Sequence, residues 1–153
     1  MRLSEVAEYI STKYPDCCMV INHDIRVGCR EEWYEEYLIN HLMYFFSFEL
    51  MNMCGCGCPD CTNELIRKIL TIRFEWQEDK LEYEEVIKRY MSDLSLDQDN
   101  DNHYGVLQFI LYMLDACGIV EHGSSIGGCW LTELGKMYLT VLNAWNDRED
   151  SEQ

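Results

Sequence analysis

The chain has 153 residues, of which 48% are hydrophobic, enough for one compact core. It carries 28 acidic against 12 basic side chains, a formal net charge of −16. That charge works against direct contact with nucleic-acid backbones and anionic membranes, and it favours basic protein surfaces as partners.

The chain opens Met1-Arg-Leu-Ser-Glu-Val-Ala-Glu, with acids where a secretory signal needs an apolar core. Export is therefore not expected. The nine cysteines are expected to be reduced and the location cytoplasmic. A first helix is predicted over residues 4–14, capped by Ser4, with Val6, Ile10 and Tyr14 on one side and Pro15 as its stop. Met19-Val-Ile21 and Ile25-Arg-Val27, around Asn22-His-Asp24, suit a short hairpin. Residues 31–53 form the longest predicted helix, with a broad stripe of Trp33, Tyr37, Leu38, Leu42, Phe45 and Phe48. Asn40, His41, Glu49 and Asn52 interrupt its apolar part, so it reads as a core helix and not a membrane span.

Pro59 suits the first position of the next helix, predicted to run to about Phe74 and bury Leu65, Ile66, Ile69 and Leu70. Residues 76–80 are a predicted connector. A helix over 81–94 is expected to turn Tyr83, Val86, Ile87, Tyr90 and Leu94 inward. Residues 95–102 form an acidic loop. The helix at 104–117 is apolar nearly all round and is expected to be largely buried, with Gly118 as its stop. Ile119-Val120 and Cys129-Trp-Leu131 are predicted strands of a hairpin whose turn is His122-Gly123-Ser124-Ser125 and Gly127-Gly128. Thr132 is placed to cap a last helix that buries Leu134, Met137, Tyr138, Val141, Leu142 and Trp145. The fold class expected is mainly α, about six helices, with a small β-hairpin wing. One globular domain is expected over 1–146, followed by a disordered tail over 147–153.

The order helix, hairpin, helix resembles the second half of a winged-helix domain, here about residues 81–146, with Trp130-Leu-Thr-Glu-Leu-Gly135 as the step from strand to helix. Glu121-His-Gly-Ser-Ser-Ile-Gly-Gly-Cys-Trp-Leu-Thr132 and Cys54-Gly-Cys-Gly are similar to stretches of small acidic proteins of phages and mobile elements. The first resemblance implies a fold fragment and, by analogy, DNA binding; the second implies a viral origin. Neither implies a known activity. Charge opposes DNA binding by this element. Residues 91–135 contain no lysine or arginine but hold Asp93, Asp97, Asp99, Asp101, Asp115, Glu121 and Glu133. A DNA-binding regulator would need Arg67, Lys68, Arg73, Lys88 and Arg89 to form one patch.

Cys54-Gly-Cys56-Gly-Cys58-Pro-Asp-Cys61 is the sharpest local motif. Cys58-x-x-Cys61 is half of a zinc site, and Cys54 or Cys56 can add a third thiolate, so the cofactor expectation is none or one structural zinc. The alternatives are reduced buried thiols or a redox-active dithiol. Asp97-Gln-Asp-Asn-Asp-Asn-His103 resembles the start of an EF-hand loop. It lacks that loop's glycine and its closing glutamate, so it reads as a solvated loop whose Asp101 or Asn102 caps the next helix. His122-Gly-Ser-Ser lacks an orienting acid at any evident spacing, and no catalytic residue is assigned. The expected working surfaces are the acidic helix faces Glu31, Glu32, Glu35, Glu36 and Glu82, Glu84, Glu85. The function expected is non-enzymatic capture of a basic protein surface, as a phage-type inhibitor or nucleic-acid mimic. Direct nucleic-acid binding and membrane contact are not expected; a homodimer stays open.

Overall fold

The computed structural model describes residues 1–14, 31–50, 59–95 and 101–151. The predicted hairpin at 19–27 and the run Cys54, Cys56, Cys58 lie outside them. The fold is mainly helical with one two-stranded antiparallel sheet. Its elements are α1 (Leu3–Lys13), α2 (Glu31–Tyr44) with a π-helical continuation (Phe45–Leu50), α3 (Pro59–Gln77), α4 (Tyr83–Asp93), α5 (Asp101–Ala116), β1 (Val120–Glu121), a 3-10 turn (Ile126–Gly128), β2 (Trp130–Leu131) and α6 (Glu133–Ser151). No helix among the described residues is long and apolar enough to cross a membrane. The chain divides into two compact units, Met1–Met53 with Thr140–Gln153, and Cys54–Leu139.

In the first unit the N-cap of α1 lies two residues before Ser4. Arg2 is the N-cap, and its backbone N–H donates to Glu5 Oε2 at 3.0 Å. The acid at the third helical position satisfies an amide that Ser4, inside the helix, cannot reach. Val6, Ala7 and Ile10 of α1 are buried, as are Leu38, Ile39, Leu42, Met43, Phe45 and Phe46 of α2 and its continuation. Tyr37 is only half-buried, its ring 3.9 Å from that of His41. Phe45 and Phe46 meet edge-on at 5.1 Å, and Tyr14 packs on Phe45 at 5.2 Å.

α6 does not fray after Asn146 but stays helical to Ser151. Arg148 ties this part of the helix to α2. Its guanidinium donates to Asn40 Oδ1 at 2.7 Å and lies 3.9 Å from Glu36 Oε1, so α2 holds the last turns of α6.

In the second unit Pro59 opens α3 as predicted, but the helix continues through Trp76 and Gln77, which the sequence assigns to a connector. Asp79 closes it in the left-handed region at φ 58°, and Ser95 does the same after α4 at φ 53°. α3 packs on α4 and β2, while β1 and the 3-10 turn pack on α5. Tyr83 is 66% exposed, contrary to expectation, because it is the first residue of α4; Val86 and Tyr90 are the buried members of that helix. α5 is not buried all round either. Leu107, Ile110, Leu111 and Leu114 face the core, whereas Phe109 and Tyr112 are 64% and 53% exposed.

The hairpin has Val120 opposite Leu131, both buried, and Glu121 opposite Trp130, both outward. Its turn needs no left-handed glycine: Gly127 and Gly128 lie in the 3-10 turn, and Ser125 Oγ accepts from Gly127 N–H at 3.2 Å. The positive φ of 76° falls instead on Gly118, at the end of α5.

Candidate interaction surface

The end of α3 supplies two polar side chains that fix the hairpin. Thr132 N–H donates to Ile119 O at 3.1 Å, so by antiparallel alternation the N–H and C=O of Leu131 point away from β1. Gln77 takes both: its Oε1 accepts from Leu131 N–H at 2.9 Å, and its amide nitrogen faces Leu131 O at 3.5 Å. Arg73, only 4% exposed, donates to the Tyr90 hydroxyl and to Gly127 O, with its guanidinium over the rings of Trp76 and Tyr90. A charge buried among neutral partners is costly unless its donors are satisfied, and here the oxygens and ring faces do that. Burial pushes the Tyr90 phenol up to about 12, and the nearby cation only partly offsets this.

Thr132 is the predicted cap, its Oγ1 accepting from Gly135 N–H at 3.0 Å. Gly135 itself is required: a Cβ there would sit 2.1 Å from Ile119 O.

Just beyond Gln77 the character changes. Glu78, Asp79, Glu82, Glu84 and Glu85 are all exposed around the α3–α4 turn, with Tyr83 among them and Lys80 and Lys88 as the interspersed cations. Glu82 occupies the N-cap of α4, but its side chain makes no capping bond. Glu84 and Glu85 lie in the first turn, where the helix dipole favours them. The predicted residues Glu82, Glu84 and Glu85 are thus exposed, as are Glu78 and Asp79 in the stretch read as a connector.

The other predicted face lies in the first unit. Glu35 and Glu36 are exposed, and the side chains of Glu31 and Glu32 are outside the described residues. Glu35 and Asp147 line an open groove of about 830 Å3 with Arg2, Tyr34, Thr140 and Asn143.

The five basic residues that a DNA-reading patch needs do not stand together on the surface. Arg73 is buried. Arg67 pairs with Glu64 at 2.6 Å, and that bond holds the Glu64 carboxyl below its ordinary value. Arg89 bridges Asp93 at 2.9 Å and Glu75 at 2.8 Å. Lys88 is exposed and Lys68 half-buried.

His122 does have an acid beside it, which the sequence reading missed. Asp115 Oδ2 is 3.6 Å from Nε2, brought round by the turn after α5. Nδ1 lies 2.9 Å from Gly123 O, so both ring nitrogens face oxygen acceptors, and Tyr112 meets the ring edge-on at 6.1 Å. That arrangement ties the hairpin to α5. It leaves neither nitrogen turned toward Ser125, whose hydroxyl serves the turn backbone.

Cys61 lies in the first turn of α3 with its side chain outside the described residues. Cys117 and Cys129 are described, and burial pushes both thiols above their ordinary value. Among the described residues no group of three or more His, Cys, Asp or Glu side chains is placed to hold a metal ion. No family model matches the chain, and no curated protein or solved structure is significantly similar to it.

Proposed function

We propose that the protein acts without catalysis, by presenting acidic helix faces to a basic surface of another protein. The observation that carries this reading is the α3–α4 turn. Five exposed carboxylates, Glu78, Asp79, Glu82, Glu84 and Glu85, surround the exposed Tyr83. Carboxylates steer a basic partner and set the salt dependence, while an aromatic ring supplies contact area. The net charge of −16 gives the long-range attraction. The inward bonding of Arg67, Arg73 and Arg89 supports the same reading over a DNA-binding regulator. If the likeness to acidic phage proteins extends to function, the basic surface is the nucleic-acid channel of a host enzyme, and the protein competes there as a mimic. For the cysteine run the reading stays none or one structural zinc, tested by metal analysis together with thiol counting.

The direct test is co-purification from host extract at low and high salt, with wild type beside Glu82→Gln/Glu84→Gln/Glu85→Gln. A partner retained at low salt, released at high salt and lost from the variant is the expected result. For a mimic, that partner also loses DNA binding when the protein is added. Absence of any salt-sensitive partner overturns the reading.

A further inference from the structure

α5 carries an exposed stripe whose one ring contact among the described residues is the edge-on meeting of Tyr112 with His122. Gly105, Phe109, Tyr112 and Ala116 are all exposed, and their spacing of four, three and four residues lines them along one helix face. Phe109 and Tyr112 are among the most exposed large apolar side chains of the described residues. Burying such rings is worth more than leaving them in water, so open aromatics at helical spacing mark a surface for contact.

Gly105 adds a second observation. A glycine inside a helix costs about 1 kcal/mol relative to alanine. A Cβ at Gly105 would meet nothing within 4 Å, so packing among the described residues does not require the glycine. With no side chain there, a second backbone can come close at the head of the stripe.

Charge decides the occupant. The stripe lies within residues 91–135, which hold no lysine or arginine. Asp115, half-exposed, lies one residue from the stripe on the same helix, and Glu121 points outward on β1. A second copy would bring another net −16 against the first, which opposes self-association through this face. The fitting partner is an amphipathic helix with apolar residues on one face and lysine or arginine along its flanks.

We infer that the Gly105–Phe109–Tyr112–Ala116 face of α5 is a docking surface for a basic amphipathic helix of a partner protein. This rests on the reading of the protein as a binder of basic surfaces, and it names the kind of segment bound. Phe109 and Tyr112 are the anchors, while Asp115, itself 3.6 Å from His122, and the outward Glu121 add the negative potential that favours flanking cations.

The test uses the full chain and a fluorescent leucine–lysine helix of about 18 residues, long enough for about five turns. Affinity is measured by anisotropy near 0.15 M salt, where exposed charges more than about 8 Å apart are largely screened. The same titration is run on Phe109→Ser/Tyr112→Ser, Gly105→Gln, and Glu82→Gln/Glu84→Gln/Glu85→Gln. Loss of about tenfold or more with each α5 variant, and a smaller loss with the glutamate variant, is the expected result. Gly105→Gln blocks that close approach without removing an apolar contact, so it decides the matter if the double variant fails to fold. Equal binding by wild type and the α5 variants overturns the docking surface while leaving the acidic reading intact. No binding to the peptide overturns the docking surface, and the co-purification result then decides the acidic reading separately. A dimer in sedimentation that Phe109→Ser abolishes overturns the choice of occupant in favour of a second copy.

Discussion

Arg73 and Gln77, in the last turns of α3, reach 54 residues along the chain to Gly127 and Leu131. Glu78 and Asp79, which follow at once, are exposed. The same helix end therefore serves a corner built on satisfied polar groups and a turn built on charge facing solvent. At the hairpin corner Arg73, Gln77 and Thr132 each bond a partner of fixed geometry, and a change there costs folding energy. At the acidic turn the carboxylates are hydrated, so a change there leaves folding nearly untouched and alters only what the surface attracts.

The largest expected effect is at the hairpin corner. Gly135→Ala drives a Cβ against the Ile119 carbonyl, and overpacking against backbone predicts a loss of about 3 kcal/mol, read as a lower urea midpoint. Arg73→Met leaves Gly127 O and the Tyr90 hydroxyl without their donor, and a loss of about 2 kcal/mol is expected after relief of the buried charge. Arg73→Lys does not restore it, since one ammonium lacks the fork that spans both oxygens.

Tyr90 sharpens the contrast through pH. Its phenol ionises near about 12 in the fold against an ordinary value of 10.0. A raised pKa contributes stability that is fully present below the unfolded value and is lost as pH rises through the folded one. Stability should therefore decline between about 10 and 12, and Tyr90→Phe should flatten that part of a urea-midpoint profile. Thr132→Ala removes the α6 cap at a cost of about 1 kcal/mol. Smallest of all, Glu82→Gln/Glu84→Gln/Glu85→Gln should shift stability by no more than about 0.5 kcal/mol. An equal loss at both corners would break the comparison.

Much of this was legible in the sequence where the signal is local. Helical periodicity marked six helices, Pro59 the start of α3, Gly118 the end of α5 and Thr132 the cap of α6. The polar ties were not legible. Nothing near Arg73 or Gln77 announces partners 54 residues away, and Gln77 lay in a stretch that reads as a connector. Asp115 beside His122 was missed because the turn, not the spacing, brings them together. Composition also misled on α5: an apolar inventory says what prefers burial, but the axis position decides which side gets it, and Phe109 and Tyr112 fall on the open side. Within the candidate surface, Glu82, Glu84 and Glu85 stood out as a charge run, whereas Glu78 and Asp79 fell in the stretch read as a connector.

The Gln77 amide has one more consequence. A two-stranded sheet normally leaves an outer rim of unpaired peptide groups that another chain can extend. Here a single side-chain amide imitates the missing strand at Leu131, donating and accepting where a neighbour's backbone would. The hairpin is thereby closed to strand addition on the β2 side. Gln77→Ala should be felt in concentrated solution, as slow growth of β-rich aggregates, well before it is felt as a loss of fold.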